Sequence, residues 1–183
     1  MKKLNLYMLL LGGIGMAYAQ NSKILEYQVK AAFLFNFAKF VEWPEHAFAD
    51  STAPIVIGII GVDPFGNDLD SMVVGQTIRG RNLEVKRFRR LADLQFCHIL
   101  FISASELPRL KRILEKINNA SVLTVSEVAN FTNAGGIINM FNLENKVRFA
   151  INLNSAAHSG IKISSRLLKL AENITFTNHS NEK

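Results

Sequence analysis

Ser155 and His158 are the residues of this chain that most resemble catalytic groups. A serine three residues before a histidine could act as a nucleophile beside its base, which would make the protein a hydrolase. No acid that could orient the histidine lies nearby in the sequence, and serines in loops usually cap helices or form turns. A hydrolase is therefore one hypothesis, and a capping serine is the plainer interpretation.

The remaining histidines do not indicate a metal site. None of the four histidines, which are His46, His98, His158 and His179, has a second ligand at a metal-binding spacing. His98 follows Cys97 inside an apolar run, and neighbouring side chains of a strand point to opposite faces. This pattern predicts a buried, hydrogen-bonded histidine instead of a Cys–His pair. We expect no catalytic residue, no metal and no cofactor.

Two glycine-containing turns could hold a small ligand. Asp63, Phe65 and Gly66 follow a predicted buried strand, and open α/β sheets bind ligands at the carboxyl ends of their strands. Gly135 and Gly136 form the second turn. The glycine spacing fits neither a phosphate loop nor the dinucleotide fingerprint. A ligand-binding module and a pair of ligand-free turns both stay open.

The stretch from Glu26 to Pro44 is the most unusual segment. It has the pattern of a helix, but the stripe that carries Lys23, Glu26 and Lys30 becomes apolar further along. Either a loop covers this apolar part, or it forms a docking surface for another protein. The residues predicted for that surface are Phe33, Leu34, Phe37, Phe40 and Val41.

A run of cations follows the first predicted strands. Such a run is typical of a solvated edge strand, since edge charges discourage aggregation, but it could also contact an acidic partner or anionic lipid. The cations are Arg79, Arg81, Lys86, Arg87, Arg89 and Arg90.

Apolar runs and periodic segments alternate through the middle of the chain, which predicts an α/β fold. We expect one layered domain with a mostly parallel or mixed central sheet flanked by helices. The predicted strands are 55–60, 82–88, 97–102, 121–125, 137–141 and 147–153, and helical segments are expected near 67–72, 107–117 and 166–171.

The first nineteen residues have the features of a cleaved secretory signal. Lys2 and Lys3 precede a short apolar stretch, and Ala17 to Ala19 supplies a small-x-small cleavage site. Cleavage would leave 20–183 as one domain, with a disordered tail from about 177 and no membrane span. The mature chain would hold 19 basic and 15 acidic residues, a net charge of +4. Such a charge argues against nucleic-acid binding.

Six segments in order resemble a known family. They are FVEWP, IIGVDPFG, CHILFIS, VLTVSEVANF, NAGGIINMF and FAINLNSAAHSGIKISSRLLKLA, and together they cover nearly the whole mature chain. The ordered set resembles the YfiR family of exported bacterial proteins.

This resemblance implies a non-enzymatic periplasmic regulator that tends to form homodimers. YfiR-like proteins bind the periplasmic sensor domain of a membrane-bound diguanylate cyclase and repress it, which lowers cyclic di-GMP and biofilm formation. The resemblance also implies that Cys97 matches a cysteine that pairs with a second one in the preceding core strand. The second position corresponds to Gly58 here, so redox control through that bridge is in doubt. The alternative function is a periplasmic small-ligand binding module of a signalling system.

Overall fold

The computed structural model describes residues 24–176. The predicted signal sequence at 1–19 and the predicted tail from 177 lie outside these residues. Within the described part, no helix is long and apolar enough to cross a membrane.

The described part of the chain starts with a long helix and then alternates strands with short helices. Helix α1 covers 24–40. The further elements are β1 (Val41–Glu42), β2 (Ile55–Ile60), α2 (Asp68–Val73), β3 (Thr77–Ile78), β4 (Arg81–Phe88), β5 (Ile99–Ile102), α3 (Leu110–Lys116), β6 (Leu123–Ser126), β7 (Ile138–Leu143), β8 (Lys146–Asn152), α4 (Leu153–His158), β9 (Lys162–Ile163), α5 (Ser165–Leu168) and β10 (Asn173–Thr175).

Eight of the described strands form one mixed sheet in the order β10-β8-β7-β6-β5-β2-β4-β3. Strands β4, β2, β5, β6 and β7 run parallel, whereas β8 pairs antiparallel with β7. The described strands β1 and β9 form a separate antiparallel pair. The α/β fold with a mixed central sheet flanked by helices is therefore confirmed.

Helices cover both faces of the sheet, which explains the apolar runs in its central strands. Every residue of β2 is buried. Ile57 and Ile59 belong to the core beneath α1 and α2, whereas Val56 and Ile60 belong to the core beneath α3. Because alternate side chains of β2 point to opposite faces of the sheet, this one strand contributes to the core on each face.

Candidate functional site

The predicted docking surface on α1 is largely buried. Leu34, Phe37 and Val41 have no exposed surface, and the Phe37 ring lies 5.2 Å from that of Phe149 and 5.9 Å from that of Phe33. Phe33 and Phe40 are half-buried. The expectation of an exposed ridge is therefore wrong for Leu34, Phe37 and Val41, which pack against the sheet.

Lys30 explains why that expectation fails. The sequence projection assumes that Lys23, Glu26 and Lys30 mark a solvent face, but Lys30 is only 3% exposed. Its ammonium forms ion pairs with Glu26 and with Glu127, the residue after β6. Because these carboxylates compensate the buried charge, the charged stripe continues directly into the apolar stripe. Together they form one buried face of α1.

The opposite face of α1 carries the exposed apolar residues. Leu25 is 55% exposed and Val29 is 45% exposed. At 100° per residue these two positions share a sector with Phe33 and Phe40, both half-buried. We call Leu25, Val29, Phe33 and Phe40 the outer stripe of α1. Sequence reasoning missed Leu25 and Val29, although their i, i+4 spacing was a signal for a shared face.

The predicted ligand loop is closed by contacts within the chain. Asp63 Oδ1 accepts from the Phe65 N–H at 2.8 Å, and its Oδ2 accepts from Arg87 Nε at 2.7 Å. Arg87 also donates to the Gly66 carbonyl at 2.9 Å and to Asp70, where its hydrogen bond lowers the pKa of that carboxyl. The polar groups of this loop are thus satisfied internally, and its ligand role stays a prediction without support from the contacts.

Phe65 is likewise part of the core. Its side chain is 3% exposed and packs edge-on against the rings of Phe101, at 4.7 Å, and Tyr27, at 5.9 Å. Phe65 therefore fixes the turn after β2 against α1 instead of presenting a ring to a ligand.

The crevice between β2 and β5 is also filled. The chain leaves β2 towards α2 on one face and leaves β5 towards α3 on the other, the arrangement at which open α/β sheets usually bind ligands. Here Ser105 Oγ accepts from the Val62 N–H at 3.0 Å. A Cβ at Gly61 would lie 2.5 Å from that hydroxyl oxygen and 2.8 Å from Glu106 Cγ. Gly61 is thus needed so that Ser105 and Glu106 can close the crevice.

The second predicted ligand turn is occupied by an aromatic ring. A Cβ at Gly136 would lie 2.1 Å from Cε1 of Phe131, and Phe131 itself is completely buried. Gly136 therefore makes room for a core side chain. The contacts give no support to a ligand site at Gly135 and Gly136.

A small cavity lies at the amino-terminal side of the sheet. Its volume is about 60 Å³, below the range of roughly 300–1,000 Å³ for small-molecule pockets, and Trp43, Phe48 and Arg81 contribute to its lining. Arg81 stacks on the Phe48 ring at 3.8 Å and donates to the carbonyls of Asp50 and Ala53. Its guanidinium is therefore already engaged.

Ser155 and His158 are not joined in a catalytic pair. Both lie in α4, where the Ser155 N–H donates to Asn152 Oδ1 at 3.1 Å as part of the helix cap. His158 Nε2 instead lies 3.2 Å from Asn118 Oδ1. Among residues 24–176, no cluster of three or more His, Cys, Asp or Glu side chains could hold a metal ion.

Cys97 and His98 do point to opposite sides, as predicted. Cys97 packs in the core beneath α3, and burial raises the pKa of its thiol to about 12. A Cβ at Gly58 would lie 2.8 Å from Cys97 Sγ, so the position that the resemblance assigns to a second cysteine is adjacent to Cys97. A bridge cannot form with glycine there, and Cys97 is a buried free thiol.

His98 lies among aromatic rings on the other side. It stacks on Phe48 at 4.4 Å and meets Trp43 and Phe96 edge-on. Its Nδ1 accepts from the Val56 N–H at 3.0 Å, and burial lowers its pKa to about 4. The prediction of a buried, hydrogen-bonded histidine is therefore confirmed.

Three of the six cations of the basic run form ion pairs within the described residues. Arg87 pairs with Asp63 and Asp70, Arg90 pairs with Asp93, and Arg79 pairs with Glu42. The run lies on β4 and its flanks, near the β3 edge of the sheet, which fits the edge-strand interpretation.

Two solved structures resemble part of this fold. They are a conserved domain protein from Vibrio cholerae O1 biovar eltor str. N16961, at 12% identity and a TM-score of 0.50, and an ABC domain in complex with L-Trp from Streptococcus pneumonia, at 10% identity and a TM-score of 0.49. Each match covers 66% of this chain, which spans only 55% of the other. The likeness to the first shows the fold alone. A comparison with curated proteins finds no match.

A family match extends over most of the chain. The sequence profile of the YfiR/HmsC-like family matches residues 27–172, from the first turn of α1 to the residue before β10. The family is one of periplasmic regulators connected with cyclic di-GMP signalling. The resemblance of the six sequence segments is thereby confirmed, and the chain belongs to the YfiR/HmsC-like family.

Proposed function

We propose that this protein is a non-enzymatic periplasmic repressor that binds the sensor domain of a membrane-bound diguanylate cyclase. Binding holds the cyclase inactive, which lowers cyclic di-GMP and biofilm formation. The family match supports the signalling role, and the features of a secretory signal at 1–19 support export. The observation that carries the proposed contact is the outer stripe of α1.

The outer stripe has the properties of a helix face that docks into a groove. Leu25 and Val29 are about half-exposed on a helix whose opposite face is sealed. Exposed apolar side chains grouped on one face indicate a protein contact, and i, i+4 anchors are how an amphipathic helix enters a groove. The half-buried rings of Phe33 and Phe40 extend the stripe towards the carboxyl end of α1.

The buried face of α1 holds the stripe in place before a partner arrives. The rings of Phe33, Phe37 and Phe149 contact one another, and Lys30 joins the helix to Glu127. Such preorganisation lowers the entropic cost of association. Because Leu25 and Val29 are only about half-exposed, burying them contributes roughly half of the 1.5–3 kcal/mol of a fully transferred side chain, or about 0.7–1.5 kcal/mol each, before association costs.

The contacts favour this protein contact over the small-ligand alternative. The polar groups of the loop at Asp63 to Gly66 bond within the chain, and the Gly136 position is filled by Phe131. A small ligand would have to displace these contacts. A groove on a partner protein would contact the outer stripe of α1, which is already exposed.

A binding isotherm tests the proposal. The mature chain is titrated against the isolated periplasmic sensor domain of an inner-membrane diguanylate cyclase from the same organism. We expect Leu25→Glu with Val29→Glu to weaken binding by about tenfold or more, because charges replace apolar anchors. Val74→Glu is the matched control, since Val74 is 74% exposed on a different segment.

Folding is checked in parallel by the thermal transition of each variant. Equal binding by the double variant and the wild type, with both folded, would exclude the outer stripe as the contact. Loss of binding in Val74→Glu as well would show that any added charge suffices and that the stripe is not specific.

A further inference from the structure

Exposed cations border the carboxyl end of the outer stripe of α1. Lys39 directly precedes Phe40, the last member of the stripe, and is exposed. Its ammonium lies over the Phe35 ring, 4.1 Å from the ring centre. At 100° per residue, Lys39 is about 40° outside the sector that runs from Leu25 to Phe33. It therefore borders the stripe without interrupting it.

Helix α5 brings further cations to the same end of α1. The Ser164 N–H, just before α5, donates to the Phe40 carbonyl at 2.9 Å. Lys162 lies two residues earlier in β9, which pairs antiparallel with β1, the strand that directly follows α1. The start of α5 is therefore beside the end of the outer stripe.

The outward face of α5 is basic. Leu167 is buried and Leu168 is half-buried, because both pack against the core. Arg166 and Lys169 are exposed, and at 100° per residue they lie on the opposite side of the helix. Since residues three apart are neighbours on a helix surface, these two cations present their charges together.

The positive charge of this region has no counter-ion within the described part of the chain. Four exposed cations form no ion pair there, and we call them the cationic border: Lys39, Lys162, Arg166 and Lys169. The acids of the region are already engaged, because Glu42, opposite Lys162, pairs with Arg79, and Glu172 lies 3.8 Å from Arg148. A net positive charge therefore lies beside the apolar stripe.

Helix stability alone does not account for the cationic border. Lys39 and Lys169 lie at the carboxyl ends of their helices, where a cation interacts favourably with the helix dipole. Lys162 precedes α5 and gains nothing from either dipole. What the four cations share is their position around the end of the outer stripe.

We propose that the groove that receives the outer stripe is edged by Asp and Glu side chains of the partner, which face the cationic border. This inference rests on the proposed function and adds the chemistry of the partner's surface. Protein interfaces commonly combine an apolar centre with a polar rim. Charges at the rim steer the encounter and fix its orientation more than they add affinity, and they act over a Debye length of roughly 10 Å at 0.1 M salt.

The cationic border also gives α1 a direction in the groove. Near the amino end of the stripe, Gln28 is neutral and the carboxylate of Glu26 pairs with Lys30. The partner's carboxylates therefore attract the carboxyl end of α1. The reverse direction would place those carboxylates beside Leu25 and Val29 and desolvate them without a counter-ion.

Association kinetics at a series of salt concentrations test the proposal. The mature chain is mixed with the isolated periplasmic sensor domain of an inner-membrane diguanylate cyclase from the same organism. We expect Arg166→Glu with Lys169→Glu to lower the association rate constant about tenfold at about 50 mM salt, and less than about twofold at about 0.5 M. The dissociation rate constant changes by less than about threefold, because rim charges act mainly on the encounter.

A matched pair of cations elsewhere controls for net charge. Lys111→Glu with Arg112→Glu makes the same change on α3, where both residues are exposed on the opposite face of the sheet, and leaves association within about twofold of the wild type. Arg166→Gln with Lys169→Gln removes the charge without reversing it and gives a smaller decrease of the same kind. The thermal transition of each variant checks folding.

The outcomes separate this inference from the proposed function. A wild type that binds, with an association rate constant that falls no more in the α5 variants than in the α3 control, overturns the acidic groove and leaves the repressor role standing. A wild type that does not bind the sensor domain at all overturns the proposed function and this inference with it.

Discussion

His98 shows how burial alone can make a residue sensitive to acid. Its ring lies between Phe48, Trp43 and Phe96, and its Nδ1 accepts from the Val56 N–H. Protonation would charge a ring that has little water around it and would remove this acceptor. Burial therefore lowers the pKa of His98 from its ordinary value near 6.5 to about 4.

The expected consequence is a loss of stability in mild acid. Below about pH 6.5 the unfolded chain binds a proton that the folded chain does not bind, so the free energy of unfolding falls until the pH reaches about 4 and this contribution then levels off. The loss is about 3 kcal/mol from this residue. Chemical denaturation at a series of pH values measures it.

His98→Asn is the control, because an amide oxygen can replace the acceptor at Nδ1 without titrating. Its overall stability falls because of the lost ring, but the difference from the wild type shrinks between pH 6.5 and 4. An unchanged slope in this window would mean that other groups cause the acid sensitivity.

Gly58 and Cys97 lead to a second residue-level prediction. A Cβ at position 58 lies 3.2 Å from the Cβ of Cys97, slightly closer than the usual separation of about 3.5–4.5 Å in disulfides. Gly58→Cys should therefore form a disulfide with Cys97 after a small shift of the two strands. The bridge would stabilise the oxidised variant by up to about 4 kcal/mol, less the strain and the crowding by Phe88.

Mass spectrometry and thermal unfolding, each with and without reductant, measure this outcome. Gly58→Ser, which adds a side chain of similar size without a thiol, is the control for crowding. Two free thiols in the folded, oxidised variant would contradict the geometry of this pair.

At the scale of the element, α1 has two different faces. The buried face carries Phe37 and joins the helix to the sheet, and the outer stripe is the surface that we propose for a partner. Phe37→Ala should therefore lower the free energy of unfolding by about 3–5 kcal/mol, since it leaves a cavity beside Phe149.

Val29→Glu should change the free energy of unfolding by less than about 0.5 kcal/mol, because Val29 is 45% exposed. Urea unfolding of both variants measures this contrast. A stable Phe37→Ala together with an unfolded Val29→Glu would reverse the assignment of the two faces.

The elements that could be predicted are those with a strong pattern. The apolar run at 55–60 is β2 with the same limits, and the predicted strands at 82–88 and 137–141 are found as Arg81–Phe88 and Ile138–Leu143. The strands of two or three residues, such as β9 and β10, carry no periodicity and depend on tertiary pairing. Sequence reasoning therefore missed them.

The candidate site was harder to predict because its decisive contacts are distant in the chain. From the sequence, Lys30 is expected to be exposed to solvent. It is buried because the fold brings Glu127, 97 positions later, beside its ammonium group. The sequence around Phe131 and Gly136 likewise suggests an open turn. In the structure, the Phe131 ring packs directly against Gly136 and fills that space. The helix itself was predictable, whereas the choice of its buried face was not.

At the scale of the whole molecule, the usual ligand positions of an α/β sheet are closed by the chain's own side chains. Ser105 and Glu106 fill the crevice after β2, and Arg87 holds the loop at Asp63. The outer stripe of α1 stays exposed at Leu25 and Val29, and we propose that the molecule acts through this surface.

The measurement that tests this account most directly is the cyclic di-GMP content of cells. We expect deletion of the protein to raise cyclic di-GMP, and the wild type or Val74→Glu to restore the low level. Leu25→Glu with Val29→Glu should be produced and exported at normal amounts but should leave cyclic di-GMP high. An unchanged level after deletion, or full restoration by the double variant, would contradict the account.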